Sequence, residues 1–189
     1  MSAPIALIDA NVLYDVVLRD LLMQLALSGL FRARWTTQIN DEWTRNLLAN
    51  RPDISAAQIE FTKTMMARAV PDALVEKFEG LIGALQLPDL DDRHVLAAAI
   101  KTGADVIITL NLKDFPREIL EPHGIEVRSP DEFIVILSEL APDVVVAAAR
   151  GCRARLINPT LSAEAYLGTL LRHGLARTTE FLHEHVGDV

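Results

Sequence analysis

The 189-residue sequence has a single cysteine, Cys152, so it forms no intrachain disulfide and offers no cysteine-rich zinc site. It is also short of positive charge. Lysine and arginine total 18 against 26 aspartates and glutamates, a formal net charge of −8 at pH 7. A chain of that balance does not hold nucleic acid through a broad basic surface. Long hydrophobic runs are missing: no uninterrupted apolar stretch approaches the roughly 18 residues that a membrane span needs. The opening MSAPIALIDA has no basic region, and its short apolar run ends at Asp9, so it does not read as a signal peptide. The expectation is a soluble, cytoplasmic protein with no membrane partner. Glycine and proline number nine each, and half of the residues are apolar. That composition buries a core and excludes fibrous repeats and wholesale disorder.

What is present is an alternation of apolar patterns. Ile5-Ala6-Leu7-Ile8 is apolar throughout, as in a strand covered on both faces. Asn11 reads as the N-cap of a helix starting near Val12, with a stripe of Leu13, Val17, Leu21 and Leu25 that ends at Gly29. A helix is predicted over 38–48, with Ile39, Trp43 and Leu47 in a row. Another starts at Ser55, where Ser55 and Gln58 have capping-box form, and runs through the Met65 region. The stretch 71–86 mixes helix formers with Gly80 and Gly83 and stays unassigned. Arg93 to Lys101 reads as a helix closed by Gly103. Val106 to Thr109 and 125–127 read as strands, with a short helix near Asp114. Ser129-Pro130-Asp131-Glu132 opens a helix with a Ser cap, Pro at the first position and Glu three residues after the cap. Strands separated by helices predict an α/β fold, a central parallel sheet flanked by helices. Beyond 131 the pattern is only helical, which divides the chain into a domain over 1–130 and a C-terminal helical extension over 131–189.

Four acids stand in awkward places. Asp9 follows the first strand, where open α/β sheets bind ligands, or it caps the next helix. Asp92 shares a helix face with Val95, Leu96 and Ala99, so a core-facing stripe begins with a carboxylate. A lone buried charge is costly, and such a group is expelled, protonated or held by a cation; the alternative is an exposed first-turn acid favoured by the helix dipole. That second reading suits Asp89 and Asp91. Glu42 sits beside the buried stripe of its helix, free to pair with Arg45. Asp114 follows the Val106–Thr109 strand. Converging carboxylates raise one another's pKa, and a divalent cation removes the repulsion. All-oxygen donors suit Mg²⁺ or Mn²⁺, ions that activate water and neutralise a reacting phosphate. Phosphodiester hydrolysis is the reaction class this chemistry serves best.

Four segments carry a family resemblance: Leu7-Ile8-Asp9-Ala10-Asn11-Val12-Leu13, Asn40-Asp41-Glu42-Trp43, Asp92 to Ala99, and Val106 to Phe115. In this order and at these intervals they resemble the PIN domain, the nuclease fold of VapC-type toxins in bacterial toxin–antitoxin pairs, over about residues 3–130. The resemblance implies a PIN-like fold and a metal-dependent endoribonuclease restrained by a protein antitoxin. It assigns catalysis to Asp9, Glu42, Asp92 and Asp114, with Asp9, Asp92 and Asp114 holding one or two Mg²⁺ (or Mn²⁺) ions. Glu42 would complete the ligand set or orient the attacking water, and Asn11 and Thr109 would be polar helpers. Many relatives have aspartate two residues after the threonine, where this chain has Asn111; the fourth acid is then Asp114, or the site relies on three. PIN toxins commonly dimerise, which implies a homodimer by analogy. The tail resembles the helical extension of one toxin subgroup.

Arg45, Arg93 and Lys113 flank the acids in sequence and are candidate RNA contacts. Arg150, Arg153 and Arg155 form the densest basic patch, read as a solvated face or an RNA or antitoxin contact. His94 is set at least a quarter-turn from Asp92, and His183 and His185 face different ways. Two alternatives stand beside the nuclease. Asp9 and Asn11, with Asp91-Asp92 later, superficially match a phosphatase of the haloacid dehalogenase type, although that pair should end a strand and here follows Pro88. An inactive PIN scaffold or RNA-binding module is the second.

Overall fold

The structure, a computed structural model, describes residues 3–189; residues 1 and 2 of the expected 1–130 unit lie outside them. Strand β1 (Ile5–Ile8) is central. It pairs in parallel with β2 (Arg32–Arg34) on one side and β3 (Val106–Ile108) on the other, and β4 (Glu126–Arg128) continues beyond β3. The order is β2-β1-β3-β4, a four-stranded parallel sheet flanked by helices. Both faces of β1 and β3 are covered, which is why these two strands are continuous apolar runs.

Strand β2 is absent from the sequence reading. It is three residues long and reads Arg-Ala-Arg, so no hydrophobic run marks it, yet Ala33 and Arg34 are buried at the sheet edge. Beyond it, Trp35 exchanges backbone bonds with Ala73 and Val75 (2.9 and 2.8 Å), so part of the unassigned 71–86 stretch extends that edge. The rest of that stretch holds one short helix, α5 (Glu79–Ile82).

The expected first helix is two. Asp9, not Asn11, caps α1 (Ala10–Tyr14), and Asp15 interrupts the stripe by capping α2 (Val16–Leu27), its Oδ1 accepting from the N–H groups of Val17 and Leu18. The helices α3 (Thr37–Asn50), α4 (Ala56–Ala69) and α6 (Arg93–Thr102) lie where the patterns place them. The Ser55–Gln58 and Ser129–Glu132 capping boxes both form. Gly103 ends α6 at φ +63°, the left-handed region that glycine enters without a Cβ penalty. A 3-10 turn spans Leu112–Asp114, and α7 (Arg117–Leu120) with a second 3-10 turn, Glu121–His123, leads to β4.

The tail is helical: α8 (Pro130–Leu140), α9 (Pro142–Ala154), α10 (Ala163–Arg172) and α11 (Ala176–His183). Helix α9 lies against α2, and α11 packs on α8 and α10, so the hydrophobic core runs unbroken from β1 to Leu170 and Leu182. The basic patch is not free. Arg155 pairs with Asp20 on α2 at 3.0 Å, Arg153 donates to the carbonyls of Leu161 and Val189, and Arg150 donates to that of Asp188. Arg150 and Arg155 remain exposed, as a solvated face requires, but the guanidinium groups also fasten the tail. Among the described residues no helix is long and apolar enough to cross a membrane.

Candidate active site

Chain order reverses across the sheet between β1 and β3, and the crevice beyond their carboxyl ends is where open α/β sheets bind ligands. Asp9 follows the last residue of β1 and Thr109 the last of β3. Oδ1 of Asp9 accepts from the Ala10 N–H at 2.7 Å. Its Oδ2 accepts from Asn11 Nδ2 at 2.7 Å and from the Thr109 hydroxyl at 2.8 Å. Thr109, fully buried, also accepts from Asn11 Nδ2 and from the Asn111 N–H, while Asn11 Oδ1 takes the Leu110 N–H. Every polar atom of this clamp is engaged, and it aims one carboxylate into the crevice. Asp9 is only 5% exposed. Burial raises its carboxyl above the ordinary range, against the bonds from Thr109 and Ala10 and the charge of His94.

Helix α3 supplies the opposite wall. The fully buried Ile39 and Trp43 fix its inner face, and Glu42, one position before Trp43, is turned to the crevice. Its Oε1 accepts from Gln38 Nε2 at 3.2 Å and lies 3.1 Å from His94 Nε2. Burial works to raise the Glu42 carboxyl, but His94, with help from Gln38 and Arg45, outweighs it and holds the group below the usual range. Asp92 enters from the start of α6. Val95, Leu96 and Ala99 on its face are fully buried, and the Asp92 side chain caps no N–H. The reading as an exposed first-turn acid therefore fails. The half-buried carboxyl is pushed up to about 6 by burial first and then by the charges of Asp9, Asp89 and Asp114.

Asp9, Asn11, Glu42, Asp92 and Arg45 thus line one open cleft of about 870 Å³. A PIN-domain family model matches residues 6–113, over half of the chain. This protein belongs to the PIN-domain family. A second family model, the VapC50 C-terminal domain, matches residues 130–184 of the tail. Among curated proteins the chain is similar to "Putative ribonuclease VapC50" of Mycobacterium tuberculosis, 38% identical over 79 residues. That match takes in 42% of this chain and 47% of the relative, so it spans about half the length of the protein it resembles. No solved structure matches.

Within this PIN domain the expected residues divide. Thr109 lies behind Asp9 and does not line the cleft itself; it acts on it through its bonds to Asp9, Asn11 and Asn111. Asp114 is half-buried and does not line the cleft, although it is near enough for its charge to act on Asp92; Asn111 lines the cleft in its stead. Arg93 and Lys113 lie outside the lining, and Arg93 gives its Nε–H to the Leu90 carbonyl at 2.8 Å. Glu42 pairs with His94, not with Arg45. The sequence reading set Asp91 and His94 aside and did not single out Tyr14, Gln38, Asp41, Asn46 or Asn50, all of which line the cleft. His94 is 4% exposed and its Nδ1 has no partner among the described residues. Its position among Val95, Leu96 and three alanines signals burial, but not that α3 would bring Glu42 against it. The phosphatase alternative needs Asp91-Asp92 at the end of a strand. They instead end a turn leading into α6, with no strand between 76 and 92.

Proposed function

We propose that this PIN domain is an Mg²⁺- or Mn²⁺-dependent endoribonuclease, the toxin of a toxin–antitoxin pair. The observation that carries the reading is the convergence of Asp9, Glu42 and Asp92, from three distant parts of the chain, on one cleft. Residues 1–130 hold the chemistry, and 131–189 form the helical extension. The protein antitoxin and a homodimer belong to the same reading, by family analogy.

The donor set fits a hard divalent cation. Among the described residues, no three His, Cys, Asp or Glu side chains are gathered closely enough to bind a metal by themselves. Mg²⁺, however, keeps several waters and is commonly held by one or two carboxylates plus substrate phosphate. A carboxylate has about four lone-pair positions; Asp9 uses three, which leaves one on Oδ1. Asp9 and Asp92 would hold the ion, with Asp114 adding charge behind Asp92. When bound, the ion lowers the pKa of water and offsets the charge of the reacting phosphate.

The chain's own groups do the rest. Glu42, kept ionised by His94, orients the attacking water and accepts its proton. Asn11 and Thr109 hold the Asp9 carboxylate at one angle. Arg45 meets a phosphate at the cleft, and Arg93 and Lys113 serve the strand's approach. In-line attack leaves a 3′-hydroxyl and a 5′-phosphate.

The test is to incubate antitoxin-free protein with total RNA, with Mg²⁺ or Mn²⁺ and with EDTA, and to map the fragment ends. Metal-dependent fragments bearing 5′-phosphates are expected. Intact RNA despite bound metal would favour the inactive scaffold, and a trapped aspartyl-phosphate at Asp9 the phosphatase.

A further inference from the structure

A second cavity, of about 430 Å³, lies beside the acidic cleft, and Tyr14 lines both. It is walled by the α1–α2 turn, by α3 and α4, and by His173 at the end of α10. On its wall sits Arg19, only 9% exposed. The guanidinium lies 4.8 Å from the centroid of the Trp43 ring, and Nη1 donates to the Leu13 carbonyl. The acids beside it in sequence, Asp20 and Asp15 (the latter also lining the cavity), act on Arg19 through their charge but are bonded to other groups. Asp15 gives Oδ1 to the Val17 and Leu18 N–H groups and Oδ2 to His173 Nδ1 at 2.7 Å, and Asp20 pairs with Arg155 at 3.0 Å. Among the described residues Arg19 has no carboxylate at ion-pair distance, in a chain with eight more acids than bases.

A guanidinium has about five N–H donors, and here a single hydrogen bond to the protein is formed. Burying such a cation without a counter-ion is unfavourable, and its planar fork matches phosphate oxygens. The opposite wall presents Leu47, Ile54 and Ile59, with the polar Arg51, Gln58 and Thr62 between and beside them, and Arg51 pairs with Asp53 at 2.6 Å. We propose that this cavity is a nucleotide subsite: Arg19 takes a phosphate of the RNA strand, and the attached base lies against Leu47, Ile54 and Ile59. With Tyr14 shared, a nucleotide here neighbours the one whose phosphate is cleaved. That placement along the strand rests on the ribonuclease reading; the phosphate-and-base chemistry rests on Arg19 and the apolar side chains facing it.

The Trp43 indole reports on the site, because Arg19 covers its ring and its Nε1–H donates to Asn40 at 2.9 Å. Trp35 does not line this cavity and serves as the control. Metal-free protein is titrated with the four nucleoside 5′-monophosphates and with the parent nucleosides, following both indole resonances by NMR. At least one monophosphate should shift Trp43 saturably and leave Trp35 still, with the nucleoside bound about tenfold more weakly. Arg19→Gln should weaken the monophosphate by a similar factor. Should that variant fail to fold, Val16→Glu sets a carboxylate at the rim, on a residue 60% exposed, and should suppress the phosphate-dependent part. Equal binding of nucleotide and nucleoside overturns the proposal, as does a response unchanged in Arg19→Gln or, failing that, Val16→Glu. A Trp43 shift with an acidic peptide and with no nucleotide overturns it too. Because no cleavage is involved, failure here leaves the nuclease reading standing, and absence of RNA cleavage leaves the Trp43 response standing.

Discussion

The hydroxyl of Thr109 donates to Oδ2 of Asp9 at 2.8 Å, although 100 positions separate the two residues. The bond joins the carboxyl ends of β1 and β3, and so fastens the switch point of the sheet to the acid at the mouth of the cleft. Thr109→Val keeps the shape and removes the donor. It also leaves the Asn111 N–H without its acceptor and removes one of the two acceptors of Asn11 Nδ2. A loss of about 1–3 kcal/mol is expected in denaturant unfolding, with cleavage reduced because Asp9 is no longer held. Wild-type stability in this variant would show the hydroxyl to be idle.

His94 governs Glu42. Its hydrogen bond and charge are what keep the Glu42 carboxyl below the usual range against its burial. In His94→Ala that carboxyl should titrate at a higher pH than in wild type, as followed by side-chain carbon NMR, and the acid limb of RNA cleavage should move the same way. An unmoved Glu42 titration removes His94 from this role.

Asp92 links function to stability. Its carboxyl lies at about 6 in the folded chain, against 3.8 for an aspartate free in water. Between these values the folded state binds more protons than the unfolded, so stability is full below the lower value and falls as pH rises through about 6. Asp92→Asn should therefore be the more stable protein at neutral pH without metal and indistinguishable near pH 4. Because the group is half exposed, the gain is about 1 kcal/mol after screening, or about 2–4 °C in melting temperature. The same variant should lose cleavage. A lower melting point at neutral pH would contradict the electrostatic account.

The sequence was most informative where burial leaves a period. The apolar runs of β1 and β3, the Ile39–Trp43–Leu47 row and the two capping boxes are local patterns, and the structure has each of them. Asp92 was legible as misplaced because Val95, Leu96 and Ala99 define a core face around it. Strand β2 was not, because its Arg-Ala-Arg is held by the edge of β1 and has no run of its own. The α1–α2 break was hidden because the stripe from Leu13 to Leu25 continues in register across Asp15. His94 and the Arg150–Arg155 patch depend on which element lies alongside, α3 in one case and α2 in the other, and no spacing within one helix encodes that. Arg19 lies off the Leu13–Val17–Leu21–Leu25 stripe between two acids that could pair with it, and its lack of a bonded carboxylate appears only once Asp15 and Asp20 have found other partners.

Asp9 and Asp92 together are expected to make a seat for a divalent cation. Calorimetric titration of the purified chain with Mn²⁺ near neutral pH tests it directly, with Asp9→Asn and Asp92→Asn run beside wild type. Saturable binding by wild type and its loss in either folded variant is the predicted result. No binding by wild type, or equal binding by all three, would contradict it.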